Sequence, residues 1–467
     1  MNNLNTIKFL QKICGDEGVI TNDTDTKVFD QDWDKKFQHK SICVVLPRNK
    51  QEVSQIVKFC NDNIIKIIPQ GGNTGLVAGA NPTSNKTEII LNLKKMNKIK
   101  EIDKLNLSIE LEAGVVLELL KDQCEREGIY FPLEITSSGS SQIGGNIATN
   151  AGGMNAIKYG SMRDQLLGIE VVTADGNIMN LNNKMRKNNM GYDLKFLFCG
   201  SEGTLGIITS ATLKLYPLPK KSISILVAYE NISSLLDSYI EIRGELSDLL
   251  ECCEFFTNVS FQIAKKNKSL NKNFFSQDYP YYLLLRLTSN SFSTNLEHII
   301  TSFLYKKENY ADVIIPLNKS NEKEFWTFRE KISEGQKKEG FVIHNDISVP
   351  INELGNLLND VKKKISDIDS QFILHSFGHL GDSNIHMNII LDSKNKDLNN
   401  IEYMVTNIIN DKVIELGGSI SAEHGIGIIK KNSFIKYSKD INVEAMKKIK
   451  KIFDPNNIMN PNKIFDI

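Results

Sequence analysis

Four of the seven histidines fall in the last fifth of the chain, and two of them stand in a segment built like a hairpin. This segment, 378–388, reads Gly-His-Leu-Gly-Asp-Ser-Asn-Ile-His-Met-Asn. Gly381-Asp382 suits the centre of a two-residue turn of type II′, which pairs His379 with Asn384. Because alternate residues of a strand share a face, His379 and His386 become diagonal neighbours that could share one metal ion. The alternative is a pair of hydrogen-bonded surface histidines.

A carboxylate that could complete such a metal site is Glu423. It stands beside His424 in the glycine-rich run 417–427, after a short predicted strand. Two imidazoles and one carboxylate that leave a coordination position open are typical of a catalytic divalent ion such as Zn²⁺, whereas a structural zinc site is closed. The ligand types alone also fit Mn²⁺ or Fe²⁺.

Three glycine-rich loops form a second group of candidates. The first, 69–75, follows a predicted strand and can present several backbone N–H groups to a phosphate, although alone it would be an ordinary glycine turn. It has neither GxGxxG nor GxxxxGK[ST] spacing, so a standard dinucleotide fold and a P-loop are not supported. The second, 139–153, combines glycines, hydroxyls and side-chain amides with almost no charge, which suits a flat, polar, uncharged ligand. The third is 200–209.

Strands mixed with amphipathic helices predict an α+β fold for the elements that position these groups. The clearest helix is Glu52–Asn61, in which apolar side chains recur with the spacing i, i+3, i+4, i+7. The lysine-rich stretch 259–278 predicts a surface excursion. The predicted strands are Ser41–Leu46, Lys66–Pro69, Glu88–Leu93, Ser108–Glu112, Gly168–Thr173, Leu205–Leu215, Ile223–Tyr229, Tyr281–Leu287, Ile373–Phe377 and Asn384–Leu391.

Two prolines, Pro217 and Pro219, interrupt the pattern before it restarts. Since proline cannot continue a central strand, they mark a domain boundary. We therefore expect an N-terminal helical arm at 1–40, a first domain at 41–217 and a second domain at 218–467.

The composition excludes several classes of function. The 467 residues include 56 Lys+Arg and 56 Asp+Glu, a balance that gives no overall basic footprint for nucleic acid. The hydrophobic content of 41% excludes global disorder, and no apolar run approaches the ~20 residues of a membrane-spanning helix. The seven cysteines include no CxxC pair, which excludes a cysteine-ligated zinc or iron–sulfur site. Because the first twenty residues have neither a signal-peptide core nor the Arg-rich character of a transit peptide, we expect a cytoplasmic protein.

Taken together, the three loops resemble the FAD-binding domain of vanillyl-alcohol-oxidase-type flavoproteins over about 41–217. The resemblance implies that the first loop holds the pyrophosphate, the second lies along the flavin and the third flanks the adenine. Some relatives tether FAD through a histidine, but no histidine occurs between His39 and His298, so we expect non-covalent FAD. The implied FAD contacts are Pro69, Gln70, Gly71, Gly72, Asn73, Thr74, Gly75, Ser137, Gly139, Ser140, Gly144, Gly145, Asn146, Thr149, Asn150, Gly152, Glu202, Gly203, Ile207 and Asn460.

The C-terminal motifs resemble those of FAD-linked D-2-hydroxy-acid dehydrogenases, most of all the D-2-hydroxyglutarate group, with mitochondrial-type D-lactate dehydrogenases next. The resemblance implies a ferredoxin-like α+β substrate domain. It also implies that His379, His386 and Glu423 ligate Zn²⁺ or another divalent metal, and that the proton acceptor is His424. The implied substrate residues are Arg329, Ser333, His344 and Asn388, of which His344 stands where the glutarate enzymes carry a Lys for the distal carboxylate.

The function implied by this resemblance is FAD-dependent, metal-assisted oxidation of a D-2-hydroxy acid, best D-2-hydroxyglutarate, by hydride transfer to flavin N5. An electron-transfer flavoprotein or a quinone would take up the electrons, and a homodimer is a possible assembly. One alternative is a D-lactate or glycolate dehydrogenase. Others are the flavin subunit of a multi-subunit glycolate oxidase, with a separate iron–sulfur partner, and a zinc-stabilised binding module.

Overall fold

The structure is a computed structural model that describes residues 3–267, 274–307, 309–392 and 397–467. It divides into two compact units. The first comprises Met1–Gly152, Gly160–Leu218 and Glu423–Ile467, and the second comprises Gly153–Tyr159 and Pro219–Ala422. The first unit therefore takes in the segment 1–40, predicted as an arm, and the last 45 residues, which the sequence assigns to the second domain.

The described helices are α1 (Asn3–Cys14), α2 (Asp23–Asp30), α3 (Lys50–Asp62), α4 (Leu117–Arg126), α5 (Ile143–Ala148), α6 (Ala156–Tyr159), α7 (Met162–Gln165), α8 (Lys195–Phe198), α9 (Ile232–Leu246), α10 (Asn258–Lys266), α11 (Leu296–Tyr305), α12 (Lys319–Glu339), α13 (Leu354–Ile368), α14 (Leu398–Glu415), α15 (Lys431–Tyr437) and α16 (Asp440–Phe453). Short 3₁₀ turns occupy Asp16–Gly18, Ile351–Glu353 and Leu380–Asp382. Within the described ranges, no helix has both the length and the apolar character needed to cross a bilayer.

The described strands are β1 (Val19–Ile20), β2 (Val44–Val45), β3 (Lys66–Gln70), β4 (Glu88–Asn92), β5 (Ile99–Asp103), β6 (Ser108–Glu112), β7 (Ile129–Tyr130), β8 (Leu166–Val172), β9 (Ile178–Asn180), β10 (Ile207–Lys214), β11 (Tyr216–Pro217), β12 (Lys221–Tyr229), β13 (Leu250–Thr257), β14 (Tyr281–Ser289), β15 (Asp312–Ile314), β16 (Phe341–Ile343), β17 (Asp346–Ser348), β18 (Ile373–His379) and β19 (Asn384–Leu391).

The first unit is built on two main sheets. One has the order β1-β2-β4-β3, in which β4 runs parallel to both β2 and β3. The other is antiparallel, with the order β5-β6-β10-β8-β9. Helix α3 begins where the Asn49 side chain accepts a hydrogen bond from the Glu52 backbone, and it buries the apolar stripe that its spacing predicts. These elements enclose one large core.

The second unit is built on one sheet of order β15-β12-β14-β13-β18-β19-β16, with β17 paired to β19. An aromatic cluster of Phe256, Phe261, Tyr282 and Phe328 packs where α10 and α12 cover this sheet. Mixed helices and sheets in both units confirm the predicted α+β class.

Two local predictions are wrong. The stretch 259–278 is not a surface excursion over its described part, because α10 buries Phe261, Ile263 and Ala264, while 268–273 lie outside the described residues. The lysines make the composition of this segment polar, so the short apolar face of α10 is recognised only from its packing in the structure. The turn at Gly381-Asp382 is a 3₁₀ turn followed by Ser383 in the left-handed conformation (φ 68°), not a type II′ turn.

Candidate active-site residues

The three glycine-rich loops converge in the first unit. Gly72 lies so close to the second loop that a Cβ there would collide with the carbonyl oxygen of Ser140, which explains the glycine. The third loop is held to the second where the backbone N–H of Glu202 donates to the carbonyl oxygen of Ala148 at 2.8 Å. The third loop also contacts the first, since the Cβ position of Gly203 lies 3.2 Å from Cγ of Pro69.

The surroundings of these loops suit a large polar ligand such as FAD. The Cβ position of Gly145 has no heavy atom within 4 Å, so the loop is open on that side. The side-chain oxygen of Gln142 is buried and accepts no hydrogen bond from any described residue. An open backbone surface beside an unsatisfied buried acceptor fits a ligand that brings hydrogen-bond donors, as the edge of a flavin or adenine ring does.

The C-terminal segment is anchored to the third loop through Glu202 and Asn460. The buried carboxylate of Glu202 accepts hydrogen bonds from the backbone N–H groups of Ile426 (2.7 Å) and Gly427 (2.8 Å). Burial raises the pKa of this carboxyl, while the two N–H groups act in the opposite direction. The Asn460 amide donates to the carbonyl oxygens of Gly79 (2.8 Å) and Glu202 (2.7 Å). The run that carries Glu423 and His424 is therefore fixed against the cofactor loops.

Glu423 and His424 lie beside the end of the second loop. The Cβ position of Gly152 is 3.6 Å from Oε2 of Glu423, and Nε2 of His424 is 3.5 Å from Oε1 of Glu423. Both side chains are half-buried, with exposed fractions of 20% and 22%. Glu423, the predicted metal ligand in the first unit, and His424, the predicted proton acceptor, are thus adjacent, and both are accessible to solvent.

In the second unit, the hairpin of β18 and β19 has the predicted register, with His379 opposite Asn384. The rings of His379 and His386 have centroids 5.6 Å apart and stand almost perpendicular, at 86°. The strand alternation therefore places both imidazoles on one face of the hairpin.

Glu254, on β13, joins one of these histidines to the predicted substrate arginine. Its Oε1 lies 2.5 Å from Nδ1 of His379, and its Oε2 accepts a hydrogen bond from Nε of Arg329 at 2.7 Å. Burial acts to raise the pKa of the Glu254 carboxyl, but the charges of His379 and Arg329 outweigh it and lower the pKa to about 2. The Arg329 guanidinium also lies over the ring of Phe377, 4.8 Å from its centroid.

Sequence reasoning missed Glu254 and Asp346. Asp346 is buried and accepts a hydrogen bond from the Asn384 side chain at 3.0 Å, while Nδ1 of His386 is 3.8 Å from its Oδ1. A signal for Glu254 was present, because a carboxylate within the apolar strand sequence Leu-Glu-Cys-Cys-Glu-Phe-Phe needs a buried partner. No comparable signal marks Asp346, which begins the short strand β17 and was not predicted to lie in a strand.

The remaining predicted substrate residues lie near an uncharged polar cluster. Arg329, Ser333 and Gln336 follow one another along one side of α12, and the Gln336 amide donates to the carbonyl oxygen of Ser333. Oε1 of Gln336 accepts from Asn388 at 2.9 Å and lies 3.0 Å from Nε2 of His375. Burial lowers the pKa of His375 to about 3, so this ring is neutral at pH 7. His344 is half-buried in the turn between β16 and β17.

Two family models match the chain. The model described as FAD linked oxidases, C-terminal domain, matches residues 218–464, and the model described as FAD binding domain matches residues 41–182. The chain is 35% identical over 461 residues to the mitochondrial D-2-hydroxyglutarate dehydrogenase of Arabidopsis thaliana, which covers 98% of this chain and 81% of the relative. It is also 35% identical over 480 residues to a putative mitochondrial D-lactate dehydrogenase of Schizosaccharomyces pombe, with 98% and 89% covered.

Among solved structures, p-cresol methylhydroxylase with bound substrate superposes with a TM-score of 0.79 at 16% identity and covers 99% of this chain and 97% of that one. This similarity confirms the predicted vanillyl-alcohol-oxidase-type fold. The predicted cytoplasmic location is wrong, because these relatives are named as mitochondrial enzymes. The composition of the first twenty residues is therefore a poor guide to location here.

Proposed function

This chain belongs to the family of FAD-linked oxidases that includes D-2-hydroxyglutarate and D-lactate dehydrogenases, and we propose that it oxidises D-2-hydroxyglutarate to the 2-oxo acid. The family membership, and with it FAD as cofactor, is established by the matched domains and by similarity over nearly the whole chain. The chain is therefore an FAD-dependent D-2-hydroxy-acid dehydrogenase, as its motifs predicted. The choice of substrate is supported by relatives named for D-2-hydroxyglutarate.

The observation that carries the proposal is the Arg329–Glu254–His379 arrangement in the second unit. Glu254 accepts from Nε of Arg329, which fixes the guanidinium and leaves its two terminal amino groups for bidentate binding of the substrate's 1-carboxylate. The same carboxylate engages Nδ1 of His379, and an imidazole held by a carboxylate in this way is the usual arrangement of a metal-ligating histidine. In this proposal one buried acid orients a carboxylate clamp on α12 and a metal ligand on β18.

We further propose that Zn²⁺ or another divalent ion is held by His379, His386 and Glu423. The two histidines share a face, and Glu423 follows Ala422, the last residue of the second unit, by one peptide bond. Asp346 is a further carboxylate beside His386. When bound, the ion would lower the pKa of the substrate hydroxyl, and non-covalent FAD would accept the carbinol hydrogen as hydride at N5.

The chain's own residues then have distinct tasks in this proposal. His424, half-buried and next to the second glycine-rich loop, takes the hydroxyl proton as general base. Arg329 and Asn388 fix the 1-carboxylate, and Ser333 and His344 contact the rest of the substrate, so that one enantiomer presents its C–H bond to the flavin. The electrons pass to an electron-transfer flavoprotein or a quinone.

The alternative substrate is D-lactate, and one observation favours it. The polar groups next to Asn388, namely Gln336 and His375, carry no charge at pH 7. A second carboxylate is bound best by a cation, whereas the methyl group of lactate needs none.

The decisive experiment is anaerobic reduction of the purified flavoprotein, followed as bleaching of the flavin absorbance. D-2-hydroxyglutarate is expected to bleach the flavin fastest, followed by D-malate and D-lactate, while L-2-hydroxyglutarate leaves it oxidised. Faster bleaching by D-lactate than by D-2-hydroxyglutarate would replace the proposed substrate by the alternative. A flavin that no D-2-hydroxy acid bleaches would overturn both.

A further inference from the structure

We propose that the outer surface of α15 and α16 binds the surface of an anionic phospholipid membrane. We call this surface the basic face, and it consists of Ile435, Lys436, Lys439, Ile441, Lys448, Lys451 and Ile452. The inference goes beyond the proposed chemistry, which involves none of these residues.

Charge is concentrated in this region although the whole chain is neutral. Between Lys430 and Phe453 the chain has eight lysines and two acidic residues, Asp440 and Glu444, while the formal net charge of all 467 residues is +0. Lys450 is buried, and Lys431 pairs with Asp466. The four lysines of the basic face are exposed to solvent. Clusters of this kind are attracted to the negative surface potential of anionic lipids.

Exposed apolar side chains accompany these lysines in an ordered way. Ile441, Ala445, Lys448 and Ile452 are spaced by four, three and four residues, so they form one stripe along the outer side of α16. Ile441 and Ile452 are each 76% exposed, and Ile435 on α15 is 43% exposed. Single exposed isoleucines are unremarkable, but an apolar stripe that contains Lys448 and has Lys451 along one side, with Glu444 between these two lysines around the helix axis, has the mixed apolar and basic character of helices that lie in a membrane interface.

The opposite side of α16 is fixed, so the isoleucines cannot turn inward. Lys450 donates to the carbonyl oxygens of Thr204 and Met459, both at 2.7 Å, and it also pairs with Asp454. The ring of Phe453 packs edge-on against Phe198 with centroids 5.3 Å apart. Because Thr204 belongs to the third glycine-rich loop, α16 lies between that loop and solvent. A membrane at the basic face would therefore be close to the cofactor loops, which suits a lipid-soluble electron acceptor.

The test is co-sedimentation of the FAD-loaded full chain with vesicles of phosphatidylcholine and phosphatidylglycerol in equal parts. We expect binding that weakens with added salt and is absent with phosphatidylcholine alone. Lys448→Glu/Lys451→Glu should weaken binding about thirtyfold, on the scale of two lysines lost at an anionic surface. Ile441→Ser/Ile452→Ser should weaken it without changing its dependence on salt.

The matched control is Lys363→Glu/Lys364→Glu on α13, where two adjacent lysines are also exposed but no apolar side chain of the helix is exposed. This control should bind vesicles as the wild type does, and all variants should retain flavin bleaching by substrate. That second readout separates failure of this inference from failure of the proposed function. The membrane assignment would be overturned if the control lost as much vesicle binding as Lys448→Glu/Lys451→Glu. It would also be overturned if the chain bound soluble heparin as tightly as it binds the vesicles, or if the chain proved to be a dimer that Ile441→Ser/Ile452→Ser dissociates.

Discussion

Replacement of Glu254 by Gln tests whether one buried carboxylate orients both the substrate clamp and a metal ligand. The amide is almost the same size, but it has one acceptor oxygen where the carboxylate has two. Either Arg329 or His379 must then face an N–H donor instead of an acceptor. Since Glu254 is fully buried and Arg329 is 6% exposed, water cannot replace the lost partner.

The loss of stability expected for Glu254→Gln follows from the burial of Glu254 and Arg329. Removing one member of a buried ion pair typically destabilises a protein by about 3–5 kcal/mol, and loss of an outer-shell partner lowers metal affinity about 10- to 100-fold. We therefore expect Glu254→Gln to lower the free energy of unfolding by about 3 kcal/mol, to raise KM for the 2-hydroxy acid and to retain less metal. Glu254→Asp keeps the charge and should recover part of the metal content.

The assay combines thermal unfolding, metal analysis of the purified protein and steady-state kinetics with an artificial electron acceptor. The matched control is Glu322→Gln on α12, a buried carboxylate that accepts from Ser224 at 2.8 Å and pairs with the exposed Lys319. Glu322→Gln should lower the free energy of unfolding by about 1 kcal/mol and leave metal content and KM unchanged. If Glu254→Gln proves no different from this control in metal content and KM, Glu254 only stabilises the fold and the reasoning is refuted.

Three further predictions address the metal, the clamp and the polar cluster. His386→Ala and prolonged chelation should each abolish turnover while the flavin absorbance remains. Added Zn²⁺ should restore the activity of the chelated wild type but not that of the variant. Full activity of a metal-free preparation would contradict the proposal. Arg329→Lys should raise KM at least about tenfold, because an ammonium cannot bind a carboxylate bidentately; an unchanged KM would place the clamp elsewhere. The pKa of His375 falls from 6.5 to about 3 on folding, so its contribution to stability is complete above pH 6.5 and is lost as the pH falls toward 3. Urea titrations should therefore show His375→Gln losing stability less steeply than the wild type between pH 6.5 and about 4, by up to about 1.4 kcal/mol per pH unit.

The parts of the site predicted from sequence are those encoded by local spacing. Alternation along β18 and β19 was sufficient to place His379 and His386 on one face, and glycine content was sufficient to mark the three loops. The partners of these groups come from distant segments. Glu254 precedes His379 by 125 residues, and Glu202 precedes Ile426 by 224 residues. A single sequence contains no spacing rule for such contacts, because only the folded sheet and loops bring the residues together.

Burial separates the acids that can react from the acids that can only position other groups. Glu202 in the first unit and Glu254 in the second unit are both buried, and each has both carboxylate oxygens occupied by donors of the chain itself. A carboxylate that is buried and held on both oxygens by donors of the protein would act on a substrate only by weakening those bonds. Glu423 and His424 retain exposed fractions of 20% and 22%, and His386 retains 12%. In the proposed mechanism these three groups act on the substrate or the metal together with His379, which Glu254 orients, and the two buried acids hold their surroundings in place.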